Sequence, residues 1–372
     1  MNNSTAIQIT LNFLVARSRV LINIKFFMIC LLYFLSSSIS ALEIIQDGDK
    51  KVYLLSYGSA LSPNHTFSQA DKDWMTYIEE KSNGRIRIKS FWSGTLISSE
   101  QNVVELRHGV TDLAMITPIY MRAGMHATRT QTGFYAGSDS IETQIEVFHC
   151  LLKEFPIFEK ELKGLKVLVV QGGTPSFILT KDRPINALED IAGLRLRAPT
   201  ALVPVVYALG GDPVLMPMGD VYPAFAKGII DGVLTPEDTL RSMHFAEIGQ
   251  YLNRLAMHRG GYPSRAISNK SYEQLPDDLK LLMLESARYW EDRIAHYIVL
   301  GNDAAIKYGE EEGVEFIEIA PEQQAEFEKV YADIALRDSK RLERYGIDGP
   351  AIYNYVNTLI GQINSGETTG CR

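Results

Sequence analysis

Arg197 is the residue in this sequence whose type and position point most directly to chemistry. Leu194 and Leu196 alternate with Arg195 and Arg197, which is the pattern of a half-buried strand, and Pro199 should end that strand. Arg197 would then lie at the carboxyl end of the strand, beyond which open α/β sheets bind their ligands. A guanidinium group there can hold a carboxylate through two parallel hydrogen bonds. The alternative is a surface arginine paired with a nearby acid, which contributes little energy.

The sequence lacks the motifs of nucleophilic, metal-dependent and nucleotide-dependent enzymes. It contains no G-x-S-x-G, H-E-x-x-H, P-loop or G-x-G-x-x-G pattern, and no cysteine pair with metal-ligand spacing. The histidines are scattered, although His65 follows the first predicted strand, in a loop of the kind that often lines a ligand site. Acidic runs such as Glu79-Glu80 are typical of solvated helix faces. We therefore expect no catalytic residue, no metal ion and no cofactor.

Alternating strands and helices are predicted to position Arg197. Short apolar runs bounded by turn residues predict strands, and apolar residues at helical spacing predict helices. The predicted strands cover residues 51–56, 85–89, 113–117, 166–170, 177–180, 194–197, 213–216 and 232–234. The predicted helices cover residues 67–82, 99–108, 142–154, 200–209, 219–227, 276–313 and 321–345. This alternation implies an α/β fold of parallel sheets with helices on both faces.

The helix predicted over residues 276–313 is far longer than the average helix of about 11–12 residues. Such a helix extends beyond one small domain, and a chain of 372 residues is long enough for two domains. We therefore expect this helix to brace two α/β domains. Residues 364–372 are mostly polar and are predicted to form a flexible tail.

Residues 1–41 have the features of a secretory signal peptide, with basic residues, a short apolar run and then small residues up to Ala41. An uncleaved anchor shares most of these features, but the apolar run is short for a bilayer span. Cleavage near Ala41 removes three basic residues and no acidic one, which changes the net charge from −8 to −11. Such a surface disfavours nucleic acid and anionic membranes as partners. We expect a periplasmic protein.

Two cysteines, Cys150 and Cys371, remain after that cleavage. A disulfide between them is conceivable in an oxidising compartment, but Cys371 lies in the predicted flexible tail. The sequence therefore favours a buried free thiol at Cys150 and a fold that does not depend on disulfides.

Ten short stretches, in the same order and with similar spacing, resemble the solute-binding proteins of tripartite ATP-independent periplasmic (TRAP) transporters. The most specific of them is Gly193-Leu-Arg-Leu-Arg-Ala-Pro199. The stretches are residues 64–65, 79–86, 91–96, 109–115, 193–199, 211–217, 220–225, 228–232, 245–248 and 275–279. The resemblance covers almost the whole chain after residue 41.

This resemblance implies a two-domain clamshell of the periplasmic-binding-protein type, with the long helix across both domains and the ligand in the cleft between them. The family's carboxylate-binding arginine corresponds to Arg197. Domain I is expected to comprise residues 42–173 and 263–302, and domain II residues 174–262. Helices within residues 303–363 are expected to pack across both domains.

Departures from the family pattern concern the expected neighbours of Arg197. Thr235 stands where the family often has asparagine, and a threonine hydroxyl has a shorter reach than an amide. The second arginine of sialic-acid-type members would fall at Ser176, and neither Ser176 nor Phe177 carries a charge. These departures favour a small or apolar monocarboxylate over a sugar acid with many hydroxyl groups.

Four further residues are candidate ligand contacts. Glu237 could meet a hydroxyl or ammonium group of the ligand, or could stabilise the start of a helix as an acidic side chain. The side chains of Tyr222, Trp92 and Tyr120 could form an apolar wall beside Arg197, or could pack in the core.

Together these features predict an extracytoplasmic receptor that binds a small organic acid and delivers it to separate small and large TRAP membrane subunits. We expect a monomer. The alternatives are a secreted α/β hydrolase or lyase that acts on an acidic substrate, or a binding protein of another importer or of a sensor. The missing nucleophile and metal motifs argue against the enzyme.

Overall fold

The computed structural model describes residues 42–138 and 140–371. The predicted signal peptide and its cleavage site near Ala41 lie outside the described residues. Within the described residues, no helix has both the length and the hydropathy that a membrane span requires.

The described part of the chain contains twelve strands and twelve α-helices. The strands are β1 (Glu43–Asp47), β2 (Lys50–Gly58), β3 (Ile86–Phe91), β4 (Leu113–Met115), β5 (Leu165–Gln171), β6 (Ser176–Thr180), β7 (Arg195–Arg197), β8 (Asp212–Val214), β9 (Gly232–Thr235), β10 (Tyr251–Met257), β11 (Tyr262–Ser268) and β12 (Glu315–Ile317). The helices are α1 (Thr66–Lys81), α2 (Asn102–Arg107), α3 (His126–Thr130), α4 (Ile141–Glu154), α5 (Pro156–Glu161), α6 (Val203–Ala208), α7 (Val221–Ala226), α8 (Thr239–Ser242), α9 (Asn269–Tyr272), α10 (Asp277–Glu312), α11 (Pro321–Arg341) and α12 (Gly349–Asn364).

These strands form two six-stranded sheets. The first sheet has the order β1-β2-β4-β11-β5, with β3 also paired to β2, and the second has the order β12-β10-β6-β9-β7-β8. The predicted domain boundaries remain a prediction, although the two sheets divide the chain at similar points.

The prediction of parallel sheets is wrong, because both sheets are mixed. Strand β2 runs parallel to β3 and β4, and β7 runs parallel to β8 and β9. The chain passes from the first sheet to the second between β5 and β6, returns between β10 and β11, and reaches the second sheet again at β12, after α10. The strands that flank the first two of these crossings pair antiparallel, β5 with β11 and β6 with β10. Strands β10 and β11 were not predicted.

Helix α10 braces the structure as expected from its length. Its amino-terminal half buries Trp290 and Ile294 in the core beneath the first sheet. Farther along the helix, Ala305 lies in a core cluster with residues of the second sheet. The Trp74 indole of α1 donates a hydrogen bond to the Ser286 hydroxyl of α10 at 2.8 Å. One continuous helix therefore contacts the elements around both sheets.

A buried polar network joins α1, α10 and β11 in the first half of the fold. Arg265 and Asp71 are both fully buried, and Arg265 Nε donates to Asp71 Oδ1 at 2.7 Å while Nη2 donates to Oδ2 at 3.0 Å. Trp290 Nε1 and the Tyr57 hydroxyl donate to the same carboxylate at 2.7 and 2.5 Å. Each charge in this network therefore has its counter-charge and its hydrogen bonds.

The prediction of a free Cys150 thiol is wrong, since Cys150 and Cys371 form a disulfide. The tail that was predicted to be flexible is thereby fastened to α4, where Glu146 also accepts a hydrogen bond from the Cys371 amide at 3.1 Å. The polar composition of residues 364–372 could not show this attachment, because the two cysteines are 221 positions apart. Glu146 and the two cysteine sulfurs lie close together, but sulfurs joined in a disulfide offer no thiolate to a metal ion.

Candidate functional site

Arg197 is the last residue of β7, as the position of Pro199 predicted. Strand β7 lies inside the second sheet, between β9 and β8. This position places Arg197 at the carboxyl end of an interior strand. The Arg197 side chain is 1% exposed, whereas Arg195, on the same face of the strand, is exposed.

The Arg197 guanidinium donates one hydrogen bond from each of its three nitrogens. Nε donates to the Met216 carbonyl at 3.1 Å and Nη1 to the Leu234 carbonyl at 3.3 Å. Nη2 donates to the Tyr120 hydroxyl at 2.8 Å. An arginine side chain has five N–H groups, so one N–H remains on each terminal nitrogen.

The acidic partner that a surface arginine would have belongs to Arg195 and not to Arg197. The Arg195 guanidinium forms an ion pair with Asp231 at 2.5 Å. Among the described residues, no carboxylate lies within ion-pair distance of Arg197. A buried charge without a counter-charge is costly, so the arrangement is typical of a site that takes an anion from outside the chain.

Arg197 faces a cavity of about 50 Å³ between elements of the two sheets. Tyr120 and Ser176, both candidates from the sequence, line this cavity with it. Tyr120 ends a 3₁₀ turn (Pro118–Tyr120) that follows β4 of the first sheet, whereas Ser176 begins β6 of the second sheet. The structure therefore brings three of the candidate residues together.

Thr235 and Phe177 lie next to the cavity but do not line it. The buried Thr235 hydroxyl lies 2.6 Å from the Thr239 hydroxyl, and the chain neighbours of Thr235, Leu234 and Pro236, form the wall instead. Phe177 follows Ser176 in β6, so its side chain lies on the other face of the sheet, where it packs against an apolar cluster.

Glu237 and Tyr222 have partners away from the cavity. The Glu237 carboxylate pairs with Arg254 at 3.0 Å. The Tyr222 hydroxyl donates to Glu247 at 3.1 Å, and this bond to a carboxylate raises the pKa of Tyr222. Tyr222 lines a separate, open cleft of about 990 Å³.

His65 and Trp92 have structural contacts. The His65 ring is buried and its Nδ1 accepts a hydrogen bond from the Phe67 amide at 3.2 Å, which caps the start of α1. Burial, assisted by the Arg265 charge, lowers the pKa of His65 to about 4. Trp92 packs edge-on against Tyr57, with ring centroids 5.5 Å apart.

Sequence reasoning missed the wall residues of the crossing between β10 and β11. His258, Arg259 and Gly260 of this segment line the cavity, as does Tyr262 at the start of β11. Burial raises the pKa of Tyr262. Because neither flanking strand was predicted, the sequence offered no reason to place this segment beside Arg197.

Comparisons with known proteins agree with this architecture. The family model described as bacterial extracellular solute-binding protein, family 7, matches residues 57–338. A solute-binding protein of Roseobacter denitrificans is 27% identical over 161 residues, which is 42% of this chain and 49% of that protein. The matched part of the chain thus spans about half the length of that relative.

Two solved structures show the same fold. One is a TRAP solute-binding protein from Rhodoferax ferrireducens in complex with copurified benzoate, with a TM-score of 0.77 and 22% sequence identity. The superposed region covers 84% of this chain and 99% of that protein. The other is the sugar acid binding protein from Advenella mimigardefordensis in complex with galactonate, with a TM-score of 0.71 and 20% sequence identity. The superposed region covers 84% of this chain and 100% of that protein. These likenesses confirm the predicted fold class, and the family match shows that the chain belongs to bacterial extracellular solute-binding protein family 7, the TRAP-type solute-binding proteins that its sequence resembles.

Proposed function

We propose that this protein is an extracytoplasmic receptor that binds a small organic acid through a carboxylate–Arg197 ion pair. The observation that carries the proposal is the state of Arg197: 1% exposed, facing a cavity, and without an acidic partner among the described residues. Its three hydrogen bonds go to neutral oxygens. The counter-charge is therefore expected from the ligand.

The remaining hydrogen-bonding capacity of Arg197 suits a carboxylate. One N–H on each terminal nitrogen provides the two parallel donors of a bidentate pair. The bonds to Met216, Leu234 and Tyr120 fix the plane of the guanidinium before a ligand arrives. A pre-positioned fork loses little conformational freedom on binding, which favours affinity.

Hydrogen bonds between elements of the two sheets support a mechanism in which the ligand stabilises a closed arrangement. The bond from Arg197 to Tyr120 joins the second sheet to a turn of the first. A second bond of this kind links the Thr66 hydroxyl of α1 to the Asp238 carboxylate, just before α8, at 3.0 Å. A ligand in the cavity between Tyr120 and Arg197 contacts both sides and shifts the equilibrium toward closure.

The wall of the cavity limits the size of the acid. Leu202, Leu234, Met218 and Pro236 contribute apolar surface around Arg197. The two related structures described above contain benzoate and galactonate, both carboxylic acids. We propose a compact acid for this chain and delivery of it to TRAP membrane subunits, as the family resemblance implies.

The proposal is tested with a matched pair of arginine variants from one strand. Arg197→Gln should lower the affinity for the best acid of a thermal-shift panel by at least about 100-fold, since it removes a bidentate ion pair. Arg195→Gln, which changes an exposed arginine two residues away, should leave that affinity within about 2-fold. Isothermal titration calorimetry measures both. Equal affinity of wild type and Arg197→Gln contradicts the proposal.

A further inference from the structure

A second arginine, Arg259, lines the same cavity as Arg197. Its Nε is buried and has no hydrogen-bond partner among the described residues. The ion pairs of the described residues include none with Arg259. Buried polar atoms nearly always have partners, so the lack of one in the guanidinium of a cavity-lining arginine points to a group that is supplied by a ligand.

The position of Arg259 is fixed by close backbone packing. A Cβ added to Gly173 would lie 1.8 Å from Arg259 Nη2, so the guanidinium lies against a backbone that has no side chain at this point. Gly173 itself is held by Gln144, whose Oε1 accepts from the Gly173 amide at 2.8 Å and whose Nε2 donates to the Gly173 carbonyl at 3.0 Å. The side chain is therefore placed before any ligand binds.

Arg259 lies in the chain segment that returns from the second sheet to the first, and it contacts the segment that leads from the first sheet to the second. It lies between β10 and β11, whereas Gly173 lies between β5 and β6. These crossings run side by side, because Met257 pairs with Ser176 and Tyr262 pairs with Gln171. A ligand on Arg259 would therefore contact the segments that join the two halves of the fold.

The ionisable groups around Arg259 leave the cavity positively charged. Arg197, Arg259 and the half-buried His258 line it, and none of the described wall residues is an aspartate or glutamate. Asp238 is the nearby acid that interacts with Arg259. It lies outside the wall, bonds to Thr66, and burial raises its pKa.

We propose that Arg259 is a specificity-determining residue that binds a second negatively charged oxygen group of the ligand. This inference rests on the proposed function, because Arg197 is to hold the first carboxylate. The ligand class is then a compact acid with two anionic groups, one for each arginine, and not the monocarboxylate that the sequence favoured.

The test compares probes that differ by one carboxylate, in two sizes: butyrate with succinate, and benzoate with isophthalate. Wild type should bind the dianion of at least one pair about 10- to 100-fold more tightly, as a charged hydrogen-bonded contact implies. Arg259→Gln should remove that preference, because it lowers the affinity for the dianion more than the affinity for the monoanion. Calorimetry at neutral pH gives all affinities, and Arg195→Gln is the matched charge control.

A second variant keeps the test valid if Arg259→Gln folds poorly. Gly173→Ala retains the arginine but displaces its guanidinium, and should reduce the preference for the dianion. Gly361→Ala is its control, because a Cβ there meets nothing within 4 Å. Equal affinity of wild type for monoanion and dianion in both pairs, or a preference that survives both Arg259→Gln and Gly173→Ala, overturns the inference.

The two proposals fail separately. If Arg197→Gln abolishes binding of all four probes while Arg259→Gln retains the preference for the dianion, the proposed function stands and the role of Arg259 is refuted. If wild type binds no probe more tightly than Arg197→Gln does, the proposed function is contradicted and this inference with it.

Discussion

Arg265 and Arg197 are two of the largest fully buried side chains of the protein, with 0% and 1% exposure, yet their surroundings differ. Arg265 forms a two-bond ion pair with the buried Asp71 carboxylate. Arg197 has two carbonyls and one hydroxyl as partners, and it faces a cavity.

The difference between them separates an arginine that holds the fold together from one that is available to a ligand. Burial alone cannot make this distinction, because both side chains are buried. The presence or absence of a counter-charge within the chain does distinguish them. A charge in a low-dielectric interior needs a counter-charge, and where the chain has none a ligand can supply it. Arg259, with its unpartnered Nε, resembles Arg197 in this respect.

Replacement of Arg265 should destabilise the fold more than replacement of Arg197. Arg265→Met leaves the Asp71 carboxylate buried and unpaired, and should lower the free energy of unfolding by about 3–5 kcal/mol. Arg197→Met removes an unpaired charge and should cost less than half as much. Urea denaturation measures both. If the Arg197 variant is the less stable one, Arg197 and not Arg265 is the arginine that stabilises the fold.

The disulfide should contribute to the stability of the fold but not to ligand binding. Cys371→Ser opens a cross-link between residues 221 positions apart, and should cost about 2–4 kcal/mol of unfolding free energy. It lies outside the cavity wall, so the affinity for an acid should not change. Reduction of wild type by a thiol reagent should reproduce the loss, and reduction of the variant should have no effect. Unchanged stability would show that the bond is not formed in solution.

The buried His65, close to Arg265, should make the stability of the fold depend on pH. Folded His65 stays neutral down to about pH 4, whereas unfolded histidine takes up a proton near pH 6.5, so this group lowers stability as pH falls through that window. The contribution of His65 to the slope of unfolding free energy against pH should approach about 1.4 kcal/mol per pH unit. His65→Asn keeps an acceptor for the Phe67 amide and should remove this part of the slope, whereas the exposed His296→Asn should not. Equal slopes in wild type and His65→Asn contradict the assignment.

The Tyr120 hydroxyl holds Arg197 in place for a ligand, so its removal should weaken binding modestly. Tyr120→Phe removes the hydroxyl that accepts from Arg197 Nη2 but keeps the ring. Affinity for an acid should fall about 3- to 10-fold, the value of one hydrogen bond to a charged group that is partly replaced by the ligand. Tyr222→Phe, which lies in the separate open cleft, should leave affinity unchanged. A larger loss in the Tyr222 variant would place the ligand in that cleft instead.

The sequence predicted those parts of the fold that obey local rules. Alternation and Pro199 located the end of β7, and apolar spacing located α10, because each signal depends on neighbouring residues. Strand β11 was missed because all seven of its residues are buried, including Pro263, Ser264 and Arg265, so it shows no alternation. The disulfide and the placement of Arg259 depend on contacts between distant segments, which no local pattern encodes.

Some of the candidate site residues named from the sequence lie together in the structure, and others do not. Arg197, Tyr120 and Ser176 meet at one cavity, whereas Glu237 has an ion-pair partner in Arg254 that the sequence could not identify. Long-range partners of this kind decide which polar residues remain available to a ligand.

A crystal structure of the protein with its tightest-binding acid would show directly whether Arg197 holds the ligand. We expect a ligand carboxylate with one oxygen on each terminal nitrogen of Arg197, at about 2.7–2.9 Å. A ligand bound elsewhere, or an Arg197 that pairs with an aspartate or glutamate of the chain in that complex, would contradict it.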